Sequence, residues 1–192
     1  MTRPKLCRHC RAEFTPARPL QKACSFPCEL ALAGAIVGRI QNDRAKAERR
    51  ADRVKRERMK SLQQLKAEAQ REFNSFIRER DRQAGHACIS SGRPLDWSGN
   101  GVDAGHYRSV GAASHLRFDE RNCHAQSKHD NQYKSGNAVD YRIGLIARIG
   151  LAEVEALEAD NTPRKWTREE LIAIKTEYAA KRRALIKEGQ TV

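Results

Sequence analysis

Long apolar runs are missing from this 192-residue chain. No stretch approaches the roughly 20 apolar residues that a membrane-spanning helix needs, so no membrane partner is expected. Met1 to Arg11 holds basic residues and two cysteines with no apolar stretch behind them, which is unlike a secretory signal. The expected location is therefore a reducing cytoplasm, that of a bacterial host cell, where cysteines serve more often as metal ligands than as disulfides. Aromatic residues are scarce, at 6%, against 32% charged, so any sizeable core must be local. Proline is absent between Cys28 and Arg82, and glycine occurs there only at 34 and 38, which favours long helix over turns.

What the chain has in excess is positive charge. Its formal net charge is +13. Such a charge repels itself in a compact chain unless an anionic partner offsets it, and the phosphate backbone of nucleic acid is the commonest such partner.

Four of the six cysteines form two close pairs, Cys7-Arg8-His9-Cys10 and Cys24-Ser25-Phe26-Pro27-Cys28. Each pair can grip one side of a tetrahedral Zn²⁺, and the turn-rich spacer lets the chain double back. His9 competes as a ligand, but Cys7, Cys10, Cys24 and Cys28 already saturate the site. A closed site has no position for a catalytic water, so this zinc is expected to be structural. The module should occupy residues 1–38, with the small apolar stretch from Glu29 to Ile40 packed on it.

Residues 39–60 read as a basic helical arm. Arg49, Arg50, Arg53 and Arg56 sit in it with too few apolar residues for a wide buried stripe. Two readings stay open: a solvated spacer, or a helix laid along DNA backbone. Residues 61–192 follow. Leu62, Leu65, Ala69, Phe73, Phe76 and Ile77 recur at helical spacing from Ser61 to Arg82. Leu95 to Trp97 reads as a short strand. Asn137 can cap a helix, Gly150 interrupts it, and Thr167-Arg168-Glu169-Glu170 is a capping box for the last helix.

The chemistry concentrates between His106 and Asn137. A strand ending in His106, a second near Asn122 and a short helix carrying Asn131 would make a ββα-metal hairpin, an arrangement that cuts phosphodiesters with one hard divalent cation. The expected fold class is therefore α+β and mostly helical, with this core between flanking helices.

The runs Asp103-Ala104-Gly105-His106-Tyr107-Arg108, Leu116 through His124, and Lys134-Ser135-Gly136-Asn137 closely resemble the lambdoid phage recombination family NinG, also called Rap. The resemblance covers most of the chain, including the cysteine module. It implies a structure-directed endonuclease of the HNH, or His-Me finger, type that cuts branched DNA such as D-loops and Holliday junctions. On that pattern His106 is the general base, Asn122 orients the imidazole and Lys134 offsets phosphate charge. Asn131 is a ligand to Mg²⁺ or Mn²⁺, with Asp103 or His124 as the second. Arg108 and the four arm arginines are assigned to DNA. Junction resolution needs two cuts, which makes a homodimer one expected partner, with other phage or host recombination proteins beside it.

Two departures from the family pattern matter. Gly105 stands where an acidic or histidine ligand commonly precedes the base. A bulge at Ala104-Gly105 would be needed to bring Asp103 to the face of His106. Where the family often carries a CxxC pair on each side of the hairpin, this chain has Cys88, Ser91, Ser127 and Asp130. One zinc per chain is expected, with Ser127 and Asp130 as a capping box and stability resting on Trp97, Phe118 and Tyr133. The rival function is a non-catalytic zinc-containing nucleic-acid-binding protein; a recruiting scaffold is a third.

Overall fold

The structure, a computed structural model, describes residues 3–190. It divides into two compact units, one ending at Lys60 and one beginning at Ser61.

In the first unit, β1 (Lys5–Leu6) and β2 (Glu13–Phe14) form a two-stranded antiparallel ribbon. Arg11 takes a left-handed conformation in the connection, with φ 66°. One helix, α1 (Phe26–Met59), follows. Pro27 lies in its first turn, where a missing N–H costs nothing and the fixed φ suits a helix. The helix starts within the cysteine module and runs unbroken through position 38 into the basic arm. Only its start packs: Cys28 and Leu32 join Cys7, Ala23 and Phe14, while Ile36, Val37 and Ile40 stay exposed. The expected burial of the stretch to Ile40 therefore stops a turn after Cys28.

The second unit opens with α2 (Leu62–Gln83), started by a capping box in which Ser61 and Gln64 satisfy each other's backbone N–H groups. The apolar spacing read from the sequence is its buried face from Leu65 onward, with Leu65, Ala69, Phe73 and Ile77 2% exposed or less, while Leu62 in the first turn is 50% exposed. That face meets α5 (Arg168–Gly189), where Leu171 and Tyr178 are buried. The Phe73 and Tyr178 rings stack edge to face at 4.8 Å, a geometry that adds about 0.5–1.5 kcal/mol to area burial. The capping box of α5 joins Thr167 and Glu170 as expected.

Between lies a hairpin of β3 (Val102–His106) and β4 (Cys123–Ser127), antiparallel, with five successive pairs from Val102↔Ser127 to His106↔Cys123. Ala104 and Cys123 face the α2–α5 cluster. The other side meets α3 (Ala138–Ile149) and α4 (Leu151–Ala159), whose core is Tyr141, Leu145, Val154 and Leu157 around Ile89 and Leu116. A side chain at Gly144 would place its Cβ 1.9 Å from the Ile89 carbonyl oxygen, so glycine is required for that approach. Gly150 turns the chain between α3 and α4 with φ 88°.

Three expectations fail. Leu95 to Trp97 is not a strand, Trp97 joins neither core cluster, and Tyr133 is 79% exposed. Trp166 stands against Phe118 instead. Among the described residues, no helix is long and apolar enough to cross a membrane.

Candidate functional site

The four N-terminal cysteine sulfurs lie within 4.8 Å of one another. Cys10 and Cys24 are 3.5 Å apart, and Cys24 and Cys28 are 3.7 Å apart. A Zn–S bond of about 2.3 Å puts tetrahedral sulfurs about 3.8 Å from each other, so the set fits zinc. The ribbon brings Cys7 and Cys10, and the first turn of α1 brings Cys28. Burial raises the Cys7 thiol, but N–H groups of Cys10, Cys24 and His9 direct hydrogen bonds at its sulfur and the balance falls to about 6. Cys24 is pushed up to about 12, chiefly by hydrogen bonding with the Cys10 and Cys28 sulfurs. A dication would take the protons' place in both. His9 is exposed and stands outside the set.

In the second unit His106 ends β3 with its ring near Phe73, 6.1 Å between centroids. Its Nε2 is 3.0 Å from the Arg117 carbonyl oxygen, and its Nδ1 faces the Cys123 sulfur at 3.6 Å. A carbonyl can only accept, so Nε2 carries the proton and Nδ1 holds the lone pair. Burial lowers the His106 pKa, with the Arg117 carbonyl opposing it, which keeps the ring neutral at pH 7.

Asn122 is fully buried. Its amide does not touch the imidazole. Its oxygen accepts from the Arg108 N–H at 2.8 Å, and its nitrogen donates to the carbonyls of Arg108 and Leu116 at 3.0 and 3.2 Å. It thus clasps both ends of the loop that carries the Arg117 carbonyl to His106. That carbonyl was invisible in the sequence, since any residue supplies one.

Asp103 and Asn131 do come together: Asn131 Nδ2 lies 2.9 Å from Asp103 Oδ2, as does Gln132 Nε2. Asn131 sits on a single π turn, His129–Tyr133, rather than a regular helix. The amide turned about gives two oxygens at that spacing. Adjacent oxygens around Mg²⁺ at about 2.1 Å are about 3.0 Å apart, so the pair fits a hard cation. The register is uninterrupted, however, so there is no bulge at Ala104-Gly105. Asp103 therefore points away from the face of His106. Gly105 has a different task. A Cβ there would lie 2.2 Å from Gln126 Oε1, a buried acceptor with no partner among the described residues, so glycine makes room for the Gln126 side chain.

Three expected site residues are engaged elsewhere. His124 is buried, with Nδ1 3.0 Å from Arg80 and Nε2 3.2 Å from the Arg121 carbonyl. Desolvation and the Arg80 charge press its pKa down to about 3, and both nitrogens are taken, so it does not suit a metal. Arg108 donates to the carbonyls of Leu157 and Asp160 and to Asn161 Oδ1, closing the C-terminal end of α4 instead of facing solvent. Lys134 pairs with Asp130 at 3.2 Å. Arg49, Arg50, Arg53 and Arg56 are all exposed on α1.

The four positions around the hairpin also gather. Asp130, 3% exposed, accepts from Ser90 Oγ at 2.9 Å and Cys88 Sγ at 3.6 Å, and its own N–H donates to Ser127 Oγ at 3.1 Å. Half of the expected capping box forms; the Asp130 carboxylate turns to Ser90, Cys88 and Lys134 instead. The Ser127 N–H points at the Cys88 sulfur, 3.2 Å away. Hydrogen bonds thus tie together strand, loop and π turn.

A family model described as "Bacteriophage Lambda NinG protein" matches residues 1–188. The chain belongs to the NinG family. Protein ninG of Salmonella phage P22 is 43% identical over 188 residues, covering 90% of this chain and 88% of its own. Protein ninG of Escherichia phage lambda is 41% identical over 188 residues, covering 90% and 87%. No solved structure matches. The NinG match spans both the cysteine cluster and the hairpin.

Proposed function

We propose that this NinG protein is a divalent-metal-dependent endonuclease acting on branched DNA in phage recombination, with the hairpin as a ββα-metal core. The observation that carries the reading is the state of His106: a neutral imidazole whose Nε2 proton is held by the Arg117 carbonyl. Its Nδ1 keeps the lone pair that a base needs, and in this structure that lone pair faces the buried Cys123 thiol at 3.6 Å. A histidine in this state can take a proton from water near pH 7, an effect of about 10²–10⁴-fold in rate. Asn122 serves as a positioning residue, acting through the loop.

Asp103 and Asn131 would hold the cation, with oxygen ligands that suit Mg²⁺ or Mn²⁺. When bound, such an ion polarises a phosphoryl oxygen and stabilises the leaving oxygen. The four-cysteine cluster has no open position and serves as a clasp for the first unit. The exposed arginines of α1 supply phosphate contacts, which position a protein without reading sequence.

One observation favours the rival, a non-catalytic DNA-binding role: the oxygen pair and the imidazole lie on opposite faces of β3. Cleavage assays on Holliday junction, D-loop and plain duplex, with Mg²⁺ and with chelator, decide between them. Metal-dependent nicking of branched substrates that is lost in His106→Ala supports the nuclease; binding without nicking leaves the rival.

A further inference from the structure

On the α2-facing side of the hairpin, beyond the end opposite His106, lies a cavity of about 360 Å³ that no part of the proposed mechanism uses. Arg78 and Arg82 of α2 and Arg182 of α5 line it, with Trp97, Asn100 and Val102 from the loop and the start of β3. Its size falls in the range of small-ligand sites. Arg78 makes no ion pair or side-chain hydrogen bond among the described residues. Among the described residues Arg182 makes one long ion-pair contact of 3.9 Å, with Glu72, and its charge also acts on Glu79. Glu79 is the acidic residue on the lining, and its carboxylate is occupied by Arg82 at 2.5 Å and Gln83 at 2.7 Å. Lys128, outside the lining, donates to the Asn100 carbonyl at 3.3 Å.

Trp97 is the unusual member. It is half-buried, belongs to neither core cluster, and enters no ring pair among the described residues. The backbone around it is nonetheless ordered by an Asx turn: Asp96 Oδ1 accepts from the Ser98 N–H at 2.9 Å and the Ser98 hydroxyl at 2.6 Å. An indole held on a fixed turn beside three guanidinium groups has the two things an unpaired nucleotide requires, a stacking face and phosphate donors. A duplex offers phosphates but keeps its bases stacked on one another. Val102 and His106 are four residues apart on one strand, about 13 Å.

The geometry points to Trp97, Arg78 and Arg182 as a binding site for an unpaired nucleotide of a DNA strand, the indole stacking on the base and the arginines contacting its phosphates. This rests on the nuclease reading above and deepens it. It says that, at a branch carrying an unpaired strand such as a D-loop, this cavity recognises that strand next to the hairpin.

The test is binding by the full chain in chelator, so that cleavage plays no part. The probes are a fluorescent thymidine oligomer and a blunt duplex. Stacking is read by Trp97→Ala, which should weaken oligomer binding roughly five- to hundredfold while leaving duplex binding unchanged. Trp97→Phe should retain most of it, which guards against a folding defect in the alanine variant. Oligomer should quench tryptophan emission in the parent and not in Trp97→Phe, where Trp166 alone remains. Arg78→Gln should flatten the oligomer's salt dependence by about 0.7 in slope. Oligomer binding and emission that ignore all three substitutions overturn the site. A chain that nicks junctions yet shows no Trp97 effect sinks this inference alone. Trp97 effects without nicking sink only the nuclease.

Discussion

The His106 imidazole and the Arg117 carbonyl oxygen lie 3.0 Å apart, joined across a loop that Asn122 holds closed at both ends. The proton this bond fixes on Nε2 sets what His106 can do at Nδ1. Replacing His106 by Ala should cut junction cleavage by roughly 10²–10⁴-fold and leave binding intact. Because burial lowers the His106 pKa, its neutral form persists below 6.5. Cleavage should hold steady as the pH drops through 6.5 and fall only below the depressed value. A parent-like rate in the alanine variant, or a profile breaking above 6.5, removes His106 from the role of base.

Asn122→Ala should act on the loop. It takes their partner from the Arg108 N–H and carbonyl, each costing about 1–3 kcal/mol if unsatisfied, while the Leu116 carbonyl keeps the Asp119 N–H. The melting temperature should fall clearly, with cleavage lost together with the ordered loop. Full activity at unchanged stability would show that the clasp is dispensable.

Zinc should be found once per chain. Metal quantitation should give one equivalent for the intact protein and none for a truncated chain beginning at Ser61, where hydrogen bonds join Cys88, Ser127 and Asp130. Chelation should unfold the ribbon at Lys5–Phe14 without disturbing the second unit, since thiolate ligation supplies much of the folding energy of so small a module. Stoichiometric zinc in the truncated chain would mean a second site in the hairpin region.

Arg49, Arg53 and Arg56 share one stripe of α1, with Arg50 beside it. Changing all four to Gln should reduce the salt dependence of duplex binding, each lost phosphate contact removing about 0.9 from the slope. An unchanged slope makes the helix a solvated spacer.

Acid should weaken the second unit early. His124 has its pKa pressed from 6.5 to about 3, by burial first and then by Arg80. Below pH 6.5 the unfolded chain binds a proton that the folded one refuses, so stability falls by about 1.4 kcal/mol per pH unit until the folded group titrates. Asp81 beside it is also held below the usual carboxylate range. Burial opposes this, but Arg80 and the Ala125 N–H outweigh it. Its contribution is present above the ordinary carboxylate value and is lost only at still lower pH. Urea unfolding of the parent and of His124→Gln, compared between neutral and mildly acid pH, should show a much shallower acid loss in the variant.

The residues themselves determined what lies within a turn or two of chain. The Ser61–Gln64 and Thr167–Glu170 capping boxes, the buried face of α2, the cysteine pairs and the turn at Gly150 follow from local rules of hydrogen bonding and periodicity. These need no knowledge of distant neighbours. The tertiary structure alone decided which long side chains were free. Arg108 is drawn to carbonyls about fifty positions away, at the end of α4, and His124 is enclosed by an arginine 44 positions earlier. An unbroken β3–β4 register puts Asp103 and His106 on opposite faces, because a strand alternates its side chains and only a bulge would have realigned them. Trp97 was the same kind of case. Its apolar bulk suggested a core residue, but α5 had filled the core with Tyr178 and the loop before it with Trp166, which left the indole at the edge of a cationic cavity.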